Sequence, residues 1–285
     1  MSDYYIQTNG IRMHYLDHGG EGPVLLLIPG LTANAHSFNG LVHAGLTDLG
    51  HVLALDMRGR GESDAPASGY AIEDHAGDVL GLLDALDLAR VVLVGHSFGG
   101  LMAYWLAANH PERVERCIAI DAPAVLDPAM IDQVKPSLDR LARVYPSWDE
   151  YLSLVKSMPY FDEGGWDDDV ESYFRADVRV GTDGTVQARC RPEHIEEVIG
   201  GEFEVDWPTV AARIGQPTLL LRAPGSFGPP GSPPLLSREE ADRTAAAMAD
   251  CRVVDGTGNH LTFVFGPGAQ VLTGAIAEFL AEVPS

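Results

Sequence analysis

Short apolar runs recur along the chain, and turn residues and then a stretch with helical spacing follow most of them. The clearest runs are Val24–Ile28, Val52–Leu55, Val91–Val94, Cys117–Ile120 and Thr218–Leu221. Strands with so few polar positions are buried on both faces, as in a parallel sheet that helices cover. The pattern therefore predicts an α/β fold.

The start of the chain has a different pattern. Tyr4–Thr8 and Arg12–Asp17 read as strands and flank the dipeptide Asn9-Gly10. This dipeptide favours the left-handed backbone of a two-residue hairpin turn. We therefore expect the first two strands to be antiparallel.

Helical spacing fills the intervals between the apolar runs. Residues 72–86 place their apolar side chains on one stripe. Ser237-Arg-Glu-Glu240 is a capping box that predicts a helix through Met248, and residues 269–283 predict a last amphipathic helix. These helices are expected to belong to the scaffold.

Residues 122–206 break this alternation, because helix-like segments follow one another there without a buried strand. The segments are Pro128–Val144, Ser147–Met158 and Pro192–Ile199. We interpret residues 122–206 as a helical cap inserted into a core of residues 1–121 and 207–285. The cap is rich in aromatic residues, most of which we expect to form its own core.

Composition narrows the classes of partner. The chain has 285 residues, of which 46% are hydrophobic, and this is enough to bury one large core. Lys and Arg number 19 against 41 Asp and Glu, so the net charge is −22. Such a surface repels phosphate backbones and anionic membranes. We expect a small-molecule substrate, no nucleic acid and no membrane partner, and self-association into a homo-oligomer is left open.

Cysteine usage and the amino terminus indicate a compartment. Cys117, Cys190 and Cys251 match no disulfide framework and no zinc-binding spacing. The first residues lack a basic and then apolar leader, and no stretch approaches the ~20 apolar residues of a membrane span. A cytoplasmic location is the expectation from these features.

Gly95-His96-Ser97-Phe98-Gly99 carries the clearest chemical signal. It follows the apolar run Val91–Val94 and opens an apolar helix over residues 101–108. A sharp turn from strand to helix holds its serine in strained backbone geometry above the sheet, and the flanking glycines supply clearance. Ser97 is therefore a candidate nucleophile, whereas the His96 side chain is expected to point away.

At this motif the sequence resembles the α/β-hydrolase fold family, and the resemblance covers residues 4–122 and 207 to the end. Ile28-Pro29-Gly30-Leu31 stands where relatives usually have His-Gly, and Asp56–Ser63 is similar to the family's loop after the fourth strand. His260, in Gly256–His260, matches the family's catalytic histidine. The resemblance implies a mostly parallel, eight-stranded sheet with a helical cap after the sixth strand.

The resemblance also implies acyl transfer without a cofactor, and no metal is expected, because the sequence has no His-Glu-x-x-His or comparable ligand spacing. A serine hydroxyl needs a base to take its proton, and a histidine performs this at neutral pH, which is the role expected of His260. Family geometry assigns the oxyanion hole to the backbone N–H groups of Leu31 and Phe98. Arg58, Gly59 and Gly61 are expected to brace the neighbouring loop.

The acid of the triad departs from the usual family pattern. The run Thr218–Leu221 is followed by a Pro- and Gly-rich loop with no Asp or Glu before Glu239. The family's alternative position for the acid is the end of the preceding strand, where Asp121 closes the run Cys117–Ile120, so the resemblance makes Asp121 the preferred candidate. Glu239, Glu240 and a triad completed by a neutral group remain alternatives.

The sequence thus favours a serine esterase or lactonase acting on a small, fairly apolar substrate. Serine in place of aspartate argues against haloalkane dehalogenases and epoxide hydrolases, whose nucleophile motif is similar. Hydrolysis of a carbon–carbon bond in a β-diketone or ring-fission product is the alternative enzyme function. A ligand receptor that retains a hydrolase pocket is a third hypothesis, which the presence of both Ser97 and His260 disfavours.

Overall fold

The computed structural model describes residues 1–128, 130–161, 164–229 and 231–282. The end of the last predicted helix, at residue 283, and the last three residues of the predicted core lie outside these ranges. The strands are β1 (Ser2–Thr8), β2 (Ile11–Gly19), β3 (Val24–Ile28), β4 (His51–Leu55), β5 (Val91–His96), β6 (Val114–Ile120), β7 (Val144–Tyr145), β8 (Val178–Val180), β9 (Val186–Ala188), β10 (Thr218–Arg222) and β11 (Cys251–Asp255). The helices are α1 (Asn39–His43), α2 (Ile72–Ala85), α3 (Phe98–Asn109), α4 (Met130–Asp139), α5 (Trp148–Lys156), α6 (Asp168–Ala176), α7 (Pro192–Glu202), α8 (Trp207–Ala212), α9 (Arg238–Ala247) and α10 (Gly266–Ala281).

One eight-stranded sheet organises the molecule, in the order β1-β2-β4-β3-β5-β6-β10-β11. Neighbouring strands from β4 to β11 in this order are parallel, while β2 is antiparallel to both of its neighbours. Thr8 pairs with Ile11 across the first turn, where Asn9 and Gly10 both have positive φ, of 43° and 81°. The predicted α/β fold and amino-terminal hairpin are confirmed.

Both faces of the central sheet are buried, as the apolar runs predict. In β3, Leu25 and Leu27 belong to one hydrophobic cluster, whereas Leu26 and Ile28 belong to another. Successive side chains of a strand point to opposite faces, so each cluster fills the space between the sheet and the helices on that side. The sheet's carboxyl edge, where β5 and β6 end, is thereby held rigidly.

The segment between β6 and β10 contains the helices α4 to α8 and also a small antiparallel sheet in the order β7-β9-β8. The expectation of helices alone was therefore incomplete. These strands are two or three residues long, too short to produce a readable alternation of polar and apolar positions. Aromatic side chains do pack on one another, as in the stacked pair Trp166 and Phe174.

The described helices include none with the length and apolar character that a membrane crossing requires.

Candidate active site

Ser97 occupies a sharp turn between β5 and α3. Its backbone has φ 54° and ψ −121°, a conformation that side-chain-bearing residues rarely adopt, and its N–H donates to the Ile120 carbonyl at 2.9 Å. A Cβ on Gly95 would lie 2.0 Å from the Gly99 carbonyl oxygen, and one on Gly99 would lie 2.0 Å from that of Ile28. Only glycine permits this close approach of strand and helix, so the motif holds the serine at the carboxyl edge.

Asp121 and His260 meet beside this turn. Nδ1 of His260 lies 2.7 Å from Oδ2 of Asp121, and the two residues are 6% and 0% exposed. The other carboxylate oxygen accepts the Ala223 N–H at 2.9 Å. Asp121 directly follows β6, the neighbour of β5, so parallel strand ends bring it to the serine. With both oxygens engaged, the carboxylate is fixed in orientation and holds the imidazole in turn.

The alternative acids, Glu239 and Glu240, make other contacts. Glu240 accepts hydrogen bonds from the backbone and hydroxyl of Ser237 and caps α9, as the sequence predicts. Glu239 is an exposed residue of the same helix, with its side chain 3.7 Å from Arg243. The Pro- and Gly-rich loop after β10 supplies Phe227, whose ring packs against His260 with centroids 4.8 Å apart. This loop thus places an aromatic side chain beside His260. Among the described residues, the carboxylate that contacts His260 is that of Asp121.

The two expected oxyanion donors flank Ser97. Phe98 is the first residue of α3, so its N–H has no partner within the helix. Gly30 packs so closely that a Cβ on it would lie 3.4 Å from the Ser97 Cβ, which brings the Leu31 backbone to the same edge. The Leu31 carbonyl accepts from Nε of Arg60 at 2.9 Å. Arg60 therefore holds the loop that carries the Leu31 N–H in place.

Two chambers meet at Ser97. The first chamber contains His260 and has polar side chains from Thr32, Ser37, Ser137 and Tyr173. The second chamber is lined largely by apolar side chains, among them Leu101, Leu126, Met130, Ile199 and Leu235. Leu31, Ser97 and Val134 line both chambers. A bond held at Ser97 would therefore have one substituent in each chamber.

Comparison with known proteins independently supports the fold that the sheet order indicates. A family model described as alpha/beta hydrolase fold matches residues 23–151. The crystal structure of an E-2-(acetamidomethylene)succinate hydrolase superposes with a TM-score of 0.85 at 22% identity, over 99% of both chains. The enol-lactonase of Burkholderia xenovorans LB400 superposes with a TM-score of 0.73 at 25% identity, over 98% of this chain and 100% of that one. The chain has the α/β-hydrolase fold.

The family resemblance read from the sequence is thus confirmed. Among curated relatives, the 2-(acetamidomethylene)succinate hydrolase of Mesorhizobium japonicum is 32% identical over 126 residues, or 44% of this chain and 45% of that protein. The first curated relatives are matched over about a third to a half of their length. The family model's match, over residues 23–151, includes the nucleophile turn.

The His96 side chain does not point away from this site, so that expectation was wrong. Its ring lines the first chamber, lies 4.6 Å from the His260 ring between centroids, and donates from Nε2 to the His260 carbonyl at 3.0 Å. Alternation of side chains holds only along extended backbone, and the positive φ of Ser97 ends it. Burial lowers the pKa of His96 well below its usual value, so the ring is neutral and supports the His260 loop.

The loop after β4 braces the neighbouring loop, as expected. Arg58 donates from Nε and Nη2 to the two carboxylate oxygens of Asp78, at 2.6 Å each. Gly61 has a positive φ and packs against Asp56, so that a Cβ there would lie 2.0 Å from a carboxylate oxygen. Asp56 in turn accepts the Ala35 N–H at 2.7 Å and ties this loop to the segment after Leu31.

Sequence reasoning missed several residues that line the chambers. Tyr173 and Phe227 reach the first chamber from the β6–β10 segment and from the loop after β10. Glu202, at the end of α7, lines the second chamber. No spacing relates these positions to Ser97, so no local signal could identify them. Within the described ranges, no group of three or more His, Cys, Asp or Glu side chains could hold a metal ion.

Proposed function

We propose that this α/β-hydrolase is a serine hydrolase that cleaves a carboxylic ester or lactone of a small, fairly apolar substrate through an acyl-enzyme. The proposal depends on one arrangement: Ser97 in its strained turn shares a cavity with His260, whose Nδ1 lies 2.7 Å from Asp121. Residues 122–206 would act as the cap over this cavity. The proposed roles are those expected from the sequence.

The mechanism follows from these positions. His260 takes the Ser97 proton while Oγ bonds to the carbonyl carbon, and Asp121 stabilises the imidazolium that forms. The N–H groups of Leu31 and Phe98 stabilise the oxyanion. His260 then gives its proton to the leaving oxygen, which breaks the ester bond and leaves the acyl group on Ser97. Water activated by His260 releases the acid and restores the serine.

The location of His260 indicates which part of the substrate each chamber holds. The leaving oxygen must receive its proton from His260, which lines the first chamber. The leaving group therefore occupies the first chamber, where several side chains are polar, and the acyl group occupies the second. An apolar acyl group with a more polar leaving group fits this division.

The charge of the lining residues constrains the substrate further. Among the described residues of both chambers there is no Lys or Arg to pair with an anion. A succinate derivative of the kind named for one relative carries carboxylates, which would be unpaired here. The likeness to an enol-lactonase supports an ester or lactone, and the lack of Lys or Arg among the described lining residues favours one without a charge.

A fluorophosphonate probe tests the nucleophile directly. We expect mass spectrometry to find the adduct on Ser97, because only an activated serine attacks phosphorus rapidly, and labelling should be much slower after His260→Ala. Equal labelling of the two proteins, or no adduct on Ser97, would disprove the proposal.

Product analysis then identifies the bond. A panel of p-nitrophenyl esters and lactones should be hydrolysed with a burst that reports the acyl-enzyme. The panel should include an acetamido compound, because of the named relative, and a vinylogous β-diketone. Faster cleavage of the diketone than of every ester and lactone would favour the carbon–carbon hydrolase instead, and a single slow turnover with tight binding would favour a receptor.

A further inference from the structure

The second chamber contains an ionisable side chain that the proposed mechanism does not use. Glu202 is the last residue of α7 and lines the chamber, whose other described residues, apart from Ser97 and Asp121, are apolar. Its Oε1 is buried and has no hydrogen-bond partner among the described residues. A buried carboxyl oxygen without a partner costs free energy, and a ligand that supplied a partner would recover it. The geometry therefore marks a polar recognition point inside an apolar space.

The protonation state of Glu202 indicates what it can bind. Burial raises the pKa of this carboxyl to about 8, and the positive charge of Arg60 partly opposes the rise. At neutral pH the group is mostly protonated and can both donate and accept a hydrogen bond. Above its pKa it only accepts.

Arg60 narrows the choice of ligand group. Its guanidinium is buried, its Nε and Nη1 donate to the carbonyls of Leu31 and Arg58, and its Nη2 has no partner in the described part of the chain. This positive charge near Glu202 opposes an ammonium group, while the ionised form of Glu202 and the apolar lining oppose a carboxylate. An uncharged group that can donate and accept is favoured, and a hydroxyl is the simplest.

The mouth of the second chamber fits an apolar chain. Ile131 and Phe203 line the chamber and are 36% and 39% exposed, so they form an apolar rim between α4 and the end of α7. Exposed apolar side chains beside a cavity are typical of an entry for apolar ligands. The chain would pass this rim and reach the nucleophile from the side on which Glu202 lies.

We propose that the second chamber selects an acyl group with an apolar chain and a hydroxyl towards its far end, which Glu202 binds through a hydrogen bond. This inference rests on the proposed serine hydrolase function, because it names the acyl group that Ser97 would accept. It makes Glu202 a specificity-determining residue.

The test compares matched esters in matched variants. The substrates are p-nitrophenyl butanoate, hexanoate and octanoate and their ω-hydroxy counterparts. For the chain length that fits, we expect kcat/KM to favour the hydroxy ester about tenfold, which corresponds to ~1.4 kcal/mol. The ratio should fall to about one in Glu202→Leu and should be retained in Glu196→Gln, a change at an exposed residue of the same helix.

The pH dependence gives a second readout. A terminal ketone only accepts hydrogen bonds, so preference for an ω-keto ester should be lost as the pH rises through about 8, whereas the hydroxyl preference should persist. In Glu202→Gln the amide always donates, so the ketone preference should not depend on pH. If Glu202→Leu does not fold, the loss of pH dependence in Glu202→Gln decides whether Glu202 binds the far end of the acyl chain.

An equal rate for plain and hydroxy esters at every length would overturn the inference, as would a preference that Glu202→Leu leaves intact. A stronger preference for an ω-carboxy or ω-amino ester would overturn it as well. If the wild type hydrolyses no ester, the proposed function has failed, and calorimetry with Ser97→Ala then tests the chamber alone. In that case ω-hydroxyhexanamide should bind more tightly than hexanamide, and equal affinities would reject the hydroxyl site.

Discussion

Ser97 and Asp121 both have a positive φ, of 54° and 52°, which residues with a side chain rarely adopt. Each follows the end of a parallel strand, and each donates its N–H to a neighbouring strand end, Ser97 to Ile120 and Asp121 to Leu221 at 2.7 Å. Such conformations cost energy and persist only where the surroundings hold them. Because β5, β6 and β10 are adjacent, the strain at both residues is supported by the same rigid edge of the sheet.

Replacing Asp121 by asparagine should abolish most of the activity without unfolding the protein. Asparagine tolerates a positive φ better than most residues do, and its Oδ1 can still accept the Ala223 N–H. Its amide would donate to Nδ1 of His260, so the proton would sit on Nε2, and the imidazole could not accept the serine proton. In a comparable triad this change lowers kcat about 10⁴-fold.

The control for Asp121→Asn is Glu239→Gln, which alters an exposed carboxylate that faces Arg243. We expect near wild-type kcat from the control and an unchanged melting temperature for both proteins. Near wild-type turnover by Asp121→Asn would remove Asp121 from the proposed triad.

At the scale of elements, Asn259 connects the His260 loop to the segment between β6 and β10. Its Oδ1 accepts the N–H groups of Leu261 and Thr262, each at 3.0 Å, and so shapes the turn that carries His260. Its Nδ2 donates to the Tyr160 carbonyl at 2.7 Å. One buried side chain therefore sets the turn from within and ties it to the proposed cap.

Substitutions of Asn259 should separate these two functions. Asn259→Ala loses all three side-chain hydrogen bonds, and a displaced His260 should lower kcat by about 10²-fold. Asn259→Asp keeps the Oδ1 contacts and loses the donor to Tyr160, so we expect kcat to fall less and KM to rise. Steady-state kinetics with a p-nitrophenyl ester measure this split, and identical kcat losses in the two variants would contradict the division of roles.

Across the whole molecule, the segment between β6 and β10 has an ionic centre of its own. Arg140 pairs with Asp177, both side chains being nearly inaccessible at 2% and 3% exposure, and the Tyr151 hydroxyl donates to Asp177 at 2.9 Å. Outside this centre, Arg189 reaches Glu62 of the core at 2.5 Å. The segment thus combines internal stability with a few polar contacts to the core.

Arg140→Ala should destabilise this segment strongly, because Asp177 would remain buried without its cation. Removal of one partner from a buried pair costs about 3–5 kcal/mol. Lys135→Ala is the matched control, since Lys135 pairs with Asp139 at 2.9 Å on an exposed surface, where a pair contributes about 0–1 kcal/mol. Hydrogen exchange should show lost protection in α5 and α6 for Arg140→Ala alone, and uniform loss across the main sheet would mean that the segment does not unfold as a unit.

The sequence alone was sufficient for features that local spacing encodes. Apolar runs identified the strands of the main sheet, Asn9-Gly10 identified the hairpin, and glycines around Ser97 identified the turn from strand to helix. Asp121 was a candidate because it follows a predicted strand beside the nucleophile turn, and parallel strands end at one edge, whereas His260 was a candidate through the family resemblance. These inferences depend on backbone geometry within a few residues, which the order of residue types largely determines.

Only the tertiary structure decided which distant side chains meet. Asp121 rather than Glu239 or Glu240 contacts His260, although 139 residues separate the pair along the chain. The sequence also did not predict the direction of the His96 ring, the contact of Phe227 with His260 or the position of Glu202 in the second chamber. Such contacts depend on how whole elements pack, and packing is set by the combined shape of many side chains, so no single stretch of sequence contains it.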